Sequence, residues 1–322
     1  MDKSQVTNKP NTLIDSEDRI LESVPYMQRL KDYYLALGYG NPYQWASYSE
    51  VPFTTLTKPL SESKIGLITT AAPYKEGAGD QGPRAPYNAA AKFYKVYSGN
   101  TDQVDFLGIS HVGYDRKYST AEDINSFFPI EALKRAERQG RVGQLSARYY
   151  GAPTNRSQAT TIKQDCADLL DLLRQDDVDV VILVPNWPVC HQTVSLVARH
   201  LEANKIPTVI AGSAKDIVEH CGVPRFLFSD FPLGNSAGKP KDLASQNRTL
   251  ELAFQLLESS FAPRTTVQSP EIWSPSHEWK LDFQNVDRIP AEEIKRRRLE
   301  FDKIKEIGQQ VRDDTLKTDA NW

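Results

Sequence analysis

The sequence lacks the features that mark several large protein classes. Its 322 residues hold only three cysteines, at positions 166, 190 and 221. An odd count at long spacing excludes a disulfide framework and points to a reducing, cytoplasmic setting. No Cys/His grouping has zinc-finger spacing, so no metal site is expected. Positive charge is not in excess: 39 Lys and Arg stand against 42 Asp and Glu, a net charge of −3. No basic field exists to attract nucleic acid or an anionic membrane. Apolar runs reach only about seven residues, where a membrane-spanning helix needs about 20. The opening Met1-Asp2-Lys3-Ser4-Gln5 has no apolar core of the signal-peptide kind. Neither a G-x-G-x-x-G turn nor a Walker A sequence occurs, and the sequence by itself requires no cofactor. What remains is 39% hydrophobic and 25% charged, ordinary for a globular chain of one large or two modest domains.

The patterns that are present alternate between strand and helix. The spacing of Ile20, Val24, Met27, Leu30, Tyr33 and Leu37 predicts a helix over 19–37, interrupted near its start by Pro25. Residues 43–59, rich in aromatics and proline, read as an irregular packed segment. Strands are expected at 64–70, 104–109, 142–146, 178–184, 206–211 and 225–228. Helices are expected from Pro129 to Gly140 and over 157–175, 191–204, 214–220 and 242–260. A charged helix over 290–312 carries a narrow apolar stripe, suited to packing on the body or on a second subunit. This alternation predicts an α/β protein with a parallel sheet and flanking helices. Residues 64–150 and 157–230 read as two similar Rossmann-like halves. The expected organisation is an N-terminal arm and helix (1–60), a first α/β half (61–155), a second (156–262) and a C-terminal extension (263–322). The two extensions are expected to join copies of the chain as a homo-oligomer.

Chemistry-bearing residues cluster where strands end. The run Val178 to Pro185 reads as a buried strand ending in a short loop, Asn186-Trp187-Pro188-Val189-Cys190-His191, that carries a thiol beside an imidazole. Open α/β sheets bind ligands at such carboxyl edges, and a helix start favours a thiolate. Cys190 is therefore the first candidate nucleophile or acid/base, open to solvent at the rim, with His191 beside it. After the 104–109 strand come His111, Tyr114 and Asp115, an imidazole and a carboxylate within reach of proton transfer. Asp123, Asn125 and Asp230 are candidate substrate contacts. The Gly-rich loop 73–88 has the composition of an anion-wrapping loop, and its Arg84 is a candidate carboxylate ligand. Each has a structural alternative: a buried thiol is a small hydrophobe, and loop carboxylates cap helices.

Several segments together resemble the selenoprotein B family of glycine, sarcosine, betaine and D-proline reductases. They are Asp179 to Pro185 with Pro188-Val189-Cys190-His191-Gln192-Thr193, Ile206-Pro207-Thr208-Val209, Ser110-His111 through Phe128-Pro129, and Cys221 through Gly234. The resemblance covers roughly residues 60–260. It implies reductive cleavage of a carbon–nitrogen bond beside a carboxylate, by a selenocysteine or cysteine in a U/C-x-x-C arrangement. It also implies a pyruvoyl-bearing partner subunit. The chain departs from the pattern at its centre: Trp187 stands at the selenocysteine position and Cys190 alone remains. Trp187 is expected to wall the pocket, where its ring suits a quaternary ammonium group.

The expected function is an enzyme on a small amino-acid-like or quaternary-amine substrate, cleaving a C–N or C–S bond with Cys190, while His111 and Asp115 carry protons. Trp187, His191, Tyr114, Asp123, Asn125, Asp230 and Arg84 would bind substrate. The alternatives are a cofactor-independent racemase or lyase, a redox-inactive binding subunit of a reductase-like complex, and a metal site of His111, Asp115 and His191.

Overall fold

A computed structural model describes residues 22–73, 94–104, 107–109, 113–153 and 157–318. The Gly-rich loop beyond residue 73, Arg84 and His111 lie outside the described residues. The strands are β1 (Lys64–Thr69), β2 (Ala72–Pro73), β3 (Tyr97–Asn100), β4 (Leu107–Gly108), β5 (Gln144–Leu145), β6 (Arg148–Gly151), β7 (Val180–Val184), β8 (Thr208–Gly212), β9 (Arg225–Phe228) and β10 (Thr265–Gln268). The main sheet runs β10-β9-β8-β7-β1-β6-β3, with β5 also beside β1. Its pairings are parallel except at the β3–β6 edge. β1 sits between β6 and β7, so strands from both expected halves share one sheet.

The α-helices of four or more residues are α1 (Tyr26–Ala36), α2 (Ile130–Arg138), α3 (Cys166–Gln175), α4 (Pro188–Ala203), α5 (Lys215–Cys221), α6 (Leu243–Ser259), α7 (Trp279–Asp282) and α8 (Ala291–Thr318). They cover both faces of the sheet because the central strands are apolar on both sides. Leu67, Ile182, Val184, Ala211 and Leu227 turn toward Leu133 of α2 and Phe254 of α6. Ile68, Val181, Leu183, Ile210 and Phe228 turn toward Leu173 of α3 and Val194 and Val197 of α4. Each such side chain, once sealed from water, contributes about 1.5–3 kcal/mol.

Two helix starts are capped from a distance. Pro25, before α1, offers no side-chain cap, and the Met27 N–H instead donates to Asp216 Oδ2 at 2.8 Å. The start of α5 is held by His191. The extended segment 46–54 lies along α4 and is fastened to it three times. The Ala46 N–H donates to Gln192 Oε1 at 2.6 Å, Arg199 donates to the Glu50 carbonyl at 2.7 Å, and the Thr54 N–H donates to Glu202 Oε2 at 2.5 Å. Glu202 also pairs with Arg225 at 2.8 Å, with neither side chain exposed. The apolar stripe of α8 seats Phe301 edge-on against Tyr34 and Tyr39, so its Phe301 packs on the body. Among the described residues no helix is long and apolar enough to cross a membrane.

Candidate functional site

The carboxyl ends of β1, β7, β8 and β9 meet two loops, 113–126 and 229–238, which are stitched together over the rim. The Asp115 N–H and the Ser119 hydroxyl both donate to the Leu233 carbonyl, at 3.1 and 2.8 Å. Asn235 donates to Ser119 Oγ at 2.5 Å, and Ser236 donates to the Pro185 carbonyl at 2.7 Å. The sequence-predicted residues 114, 115, 187, 190 and 230 are all placed at this rim.

The Cys190–His191 pair differs from expectation. Pro188 fits the first helical position because it has no N–H to lose and its φ is preset, so α4 begins at residue 188 rather than 191. Cys190 and His191 therefore lie in its first turn and not in a loop. The Cys190 thiol is not open to solvent. It is fully buried in an apolar cluster with Tyr114, Trp187, Ala214 and Leu233. Burial also pushes the nearby Tyr97 phenol well up. Cys166 and Cys221 lie in two other clusters, and burial pushes their thiols up to about 12 and about 11.

His191 is equally buried and has no ring nitrogen to spare. Its Nδ1 lies 2.8 Å from the Trp187 carbonyl and must carry the proton, because Nε2 accepts from the N–H groups of Ser213 (2.9 Å) and Ala214 (3.1 Å). Gly212 makes room for the ring: a Cβ there would stand 2.9 Å from His191 Nε2. Burial holds the imidazole down at about 4. His191 is thus a neutral cap on α5 with both ring nitrogens engaged, and the metal grouping of His111, Asp115 and His191 loses this ligand.

Trp187 lines a cleft. Its ring packs on Gly113, where a Cβ would come within 2.9 Å of Cζ3 and closer still to Cε3. With Val189 it lines a cleft of about 360 Å³ whose other walls include Tyr34, Tyr43, Trp45 and Phe301. Among the described residues the charged groups lining this cleft are Lys305 and Arg312.

Three buried or half-buried carboxylates gather around Tyr26. Burial pushes the Asp115 carboxyl up to about 6, against the pull of the Lys117 and Tyr118 N–H groups. Burial likewise raises Asp216 to about 6, and Asp230 is raised despite its ion pair with Lys280. All three raise the buried Tyr26 phenol further. Asp123 and Asn125 have other work. Burial pushes Asp123 up, but N–H groups of Lys241, Asn125 and Gln246 outweigh it and leave the carboxyl lowered. Asp123 caps the turn at 124–126 and ties it to residues 241 and 246, while Asn125 Oδ1 accepts from the Glu131 N–H at 3.4 Å. These bonds hold the loop in place.

Sequence reasoning missed three residues at the rim. Asn186, Ser213 and Ser229 each follow a strand and are buried, yet among the described residues the Asn186 amide and both hydroxyls find no hydrogen-bond partner. The available signal was a lone polar residue just past three apolar strands. Among the described residues no group of three or more His, Cys, Asp or Glu could hold a metal ion.

Comparison with known proteins agrees with the sequence patterns. The family model described as glycine/sarcosine/betaine reductase selenoprotein B matches residues 29–186. The chain is 26% identical over 192 residues to the D-proline reductase subunit gamma of Acetoanaerobium sticklandii, covering 59% of this chain and 76% of that one. It is 26% identical over 236 residues to the glycine reductase complex component B subunit gamma of Symbiobacterium thermophilum, covering 71% and 54%. It is 25% identical over 200 residues to the betaine reductase complex component B subunit beta of Peptoclostridium acidaminophilum, covering 55% and 41%. The chain spans about half the length of most of the curated relatives it matches. No solved structure matches.

Proposed function

We infer that this chain, similar to the selenoprotein B family, is a subunit of a reductase-type complex that binds a small amine-bearing carboxylic acid at the rim of its sheet. It does not complete a reductive cycle by itself. One observation supports this reading: the Cys190 thiol, three residues after the Trp187 that the resemblance sets at the family's reacting position, is sealed at 0% exposure. A two-thiol exchange needs an attacking thiolate and a resolving thiol within reach. Cys166 and Cys221 pack in separate clusters. The named relatives are subunits of multi-component complexes, which supports a partner subunit that supplies the chemistry.

A second reading keeps Cys190 as the nucleophile in C–N cleavage. It is favoured by the thiol's place in the first turn of the 16-residue helix α4, where the dipole favours negative charge. On that reading Asp115, near 6, exchanges protons at neutral pH with His111 as its partner. Incubating the full chain with glycine, sarcosine or betaine and dithiothreitol separates the two. The binding-subunit reading expects no amine release from the chain alone. Amine release that Cys190→Ser abolishes would overturn it and establish the second.

A further inference from the structure

Three idle polar side chains stand in one row across the sheet's carboxyl rim. Leu183 pairs with Ile210 across β7 and β8, so three steps on Asn186 comes level with Ser213. Gly212 pairs with Phe228 across β8 and β9, so Ser213 and Ser229 follow side by side. By strand alternation all three continue the face of Val184, Ala211 and Leu227, the face that α2 and α6 cover. Their backbones are fixed: Asn186 N donates to Thr70 Oγ1 at 3.1 Å, Ser213 N to His191, and Ser229 N to the Gly212 carbonyl at 2.9 Å. Their exposures are 0, 3 and 0%, and Asn186 Nδ2 and Oδ1, Ser213 Oγ and Ser229 Oγ find no hydrogen-bond partner among the described residues.

Buried polar atoms are normally satisfied, because an unmade hydrogen bond forfeits the water it gave up. The neighbouring hydroxyls of Thr69, Ser119, Ser126 and Ser236 obey that rule. Idle buried side-chain atoms occur elsewhere among the described residues too, but four fall in this one row, where a polar ligand would complete their hydrogen bonds. Of the two helix starts here, α5 is already capped by His191. The start of α4, two residues after Asn186, has no side-chain cap and offers first-turn N–H groups to an anion.

We propose that Asn186, Ser213 and Ser229 clamp the carboxylate of the substrate, against the start of α4. This rests on the amine-bearing acid read above. The row supplies amide and hydroxyl hydrogen bonds, and the helix supplies the compensating positive potential.

The test measures the thermal midpoint of the full chain with and without glycine, sarcosine, betaine, D-proline, and acetate as a bare carboxylate. At least one probe is expected to raise the wild-type midpoint. Ser213→Ala and Ser229→Ala are expected to leave the ligand-free midpoint equal or higher, since an idle hydroxyl is removed, while weakening the probe at least tenfold. Asn186→Asp, which sets a negative charge in the row, is expected to abolish the shift. Wild-type probe affinity in the alanine variants, or a lowered ligand-free midpoint, overturns the clamp alone. A wild-type chain that no probe shifts overturns both the clamp and the amine-acid reading beneath it.

Discussion

Replacing His191 by glutamine should change how stability depends on pH, by an amount the structure sets. In the native chain the imidazole must stay neutral. Its Nδ1–H faces the Trp187 carbonyl, and its Nε2 lone pair faces two N–H groups. A proton on Nε2 would oppose both donors inside a sealed pocket. The native group therefore titrates near 4, against 6.5 in the open chain. Between those values the unfolded chain takes up a proton that the native chain refuses, so stability falls as pH falls. The His191 contribution is whole above 6.5 and lost toward 4. At pH 4.5 the loss amounts to about 2.5 kcal/mol, since each tenfold difference in proton affinity is worth about 1.4 kcal/mol. Glutamine keeps an acceptor but does not titrate. At pH 7 the variant should be the weaker protein by about 1–3 kcal/mol, from imperfectly met N–H groups. As pH drops to 4.5 that gap should shrink by about 2.5 kcal/mol. Urea unfolding of both proteins across this range measures it, and every other titrating group cancels in the difference. A gap that stays constant with pH would show that His191 does not serve as a neutral acceptor, and the cap on α5 would have to be reassigned.

Two further outcomes follow from the same rim. Asp115, raised to about 6 by burial, binds its proton more tightly when folded, so its contribution falls as pH rises through 3.8 to 6. Asp115→Asn keeps the acceptor for Lys117 and Tyr118 and should stabilise the chain at pH 7.5 by about 1–3 kcal/mol, with little effect at pH 4. Calorimetry at the two pH values decides it, and an equal effect at both would rule out a buried charge. Gly113→Ala forces a methyl into the Trp187 ring and should destabilise by about 1–3 kcal/mol. In a Trp187→Leu background most of that loss should vanish; an undiminished loss in thermal melts would mean the ring is not what the methyl meets.

The central strands were legible because burial on both faces leaves continuous apolar runs, as in Val180–Val184 and Thr208–Gly212. The edges were not. Tyr97–Asn100 and Thr265–Gln268 are only half-covered, so their side chains carry little hydrophobic signal. Pro188 was visible in the sequence, but its place at a helix start depends on where β7 stops. The rim position of Trp187, Cys190 and Asp230 could be read from strand ends. The partners could not: His191 meets Ser213 and Ala214 more than twenty residues away, through a contact that only the β7–β8 pairing creates. Sequence position also says nothing about depth, and depth separates a buried thiol from a reactive one.

The strap at residues 46–54 bears on how the front of α4 can move. Gln192, Arg199 and Glu202 grip it in the helix's own order, so helix and strap form one splint reaching from the rim to the opposite margin of the sheet. The turn that holds Cys190 and His191 is the leading end of that splint. It cannot swing aside to uncover the sulfur without peeling a whole length of polypeptide from its bed. Access to that corner must come from the loops above it, with the helix beneath as the anvil.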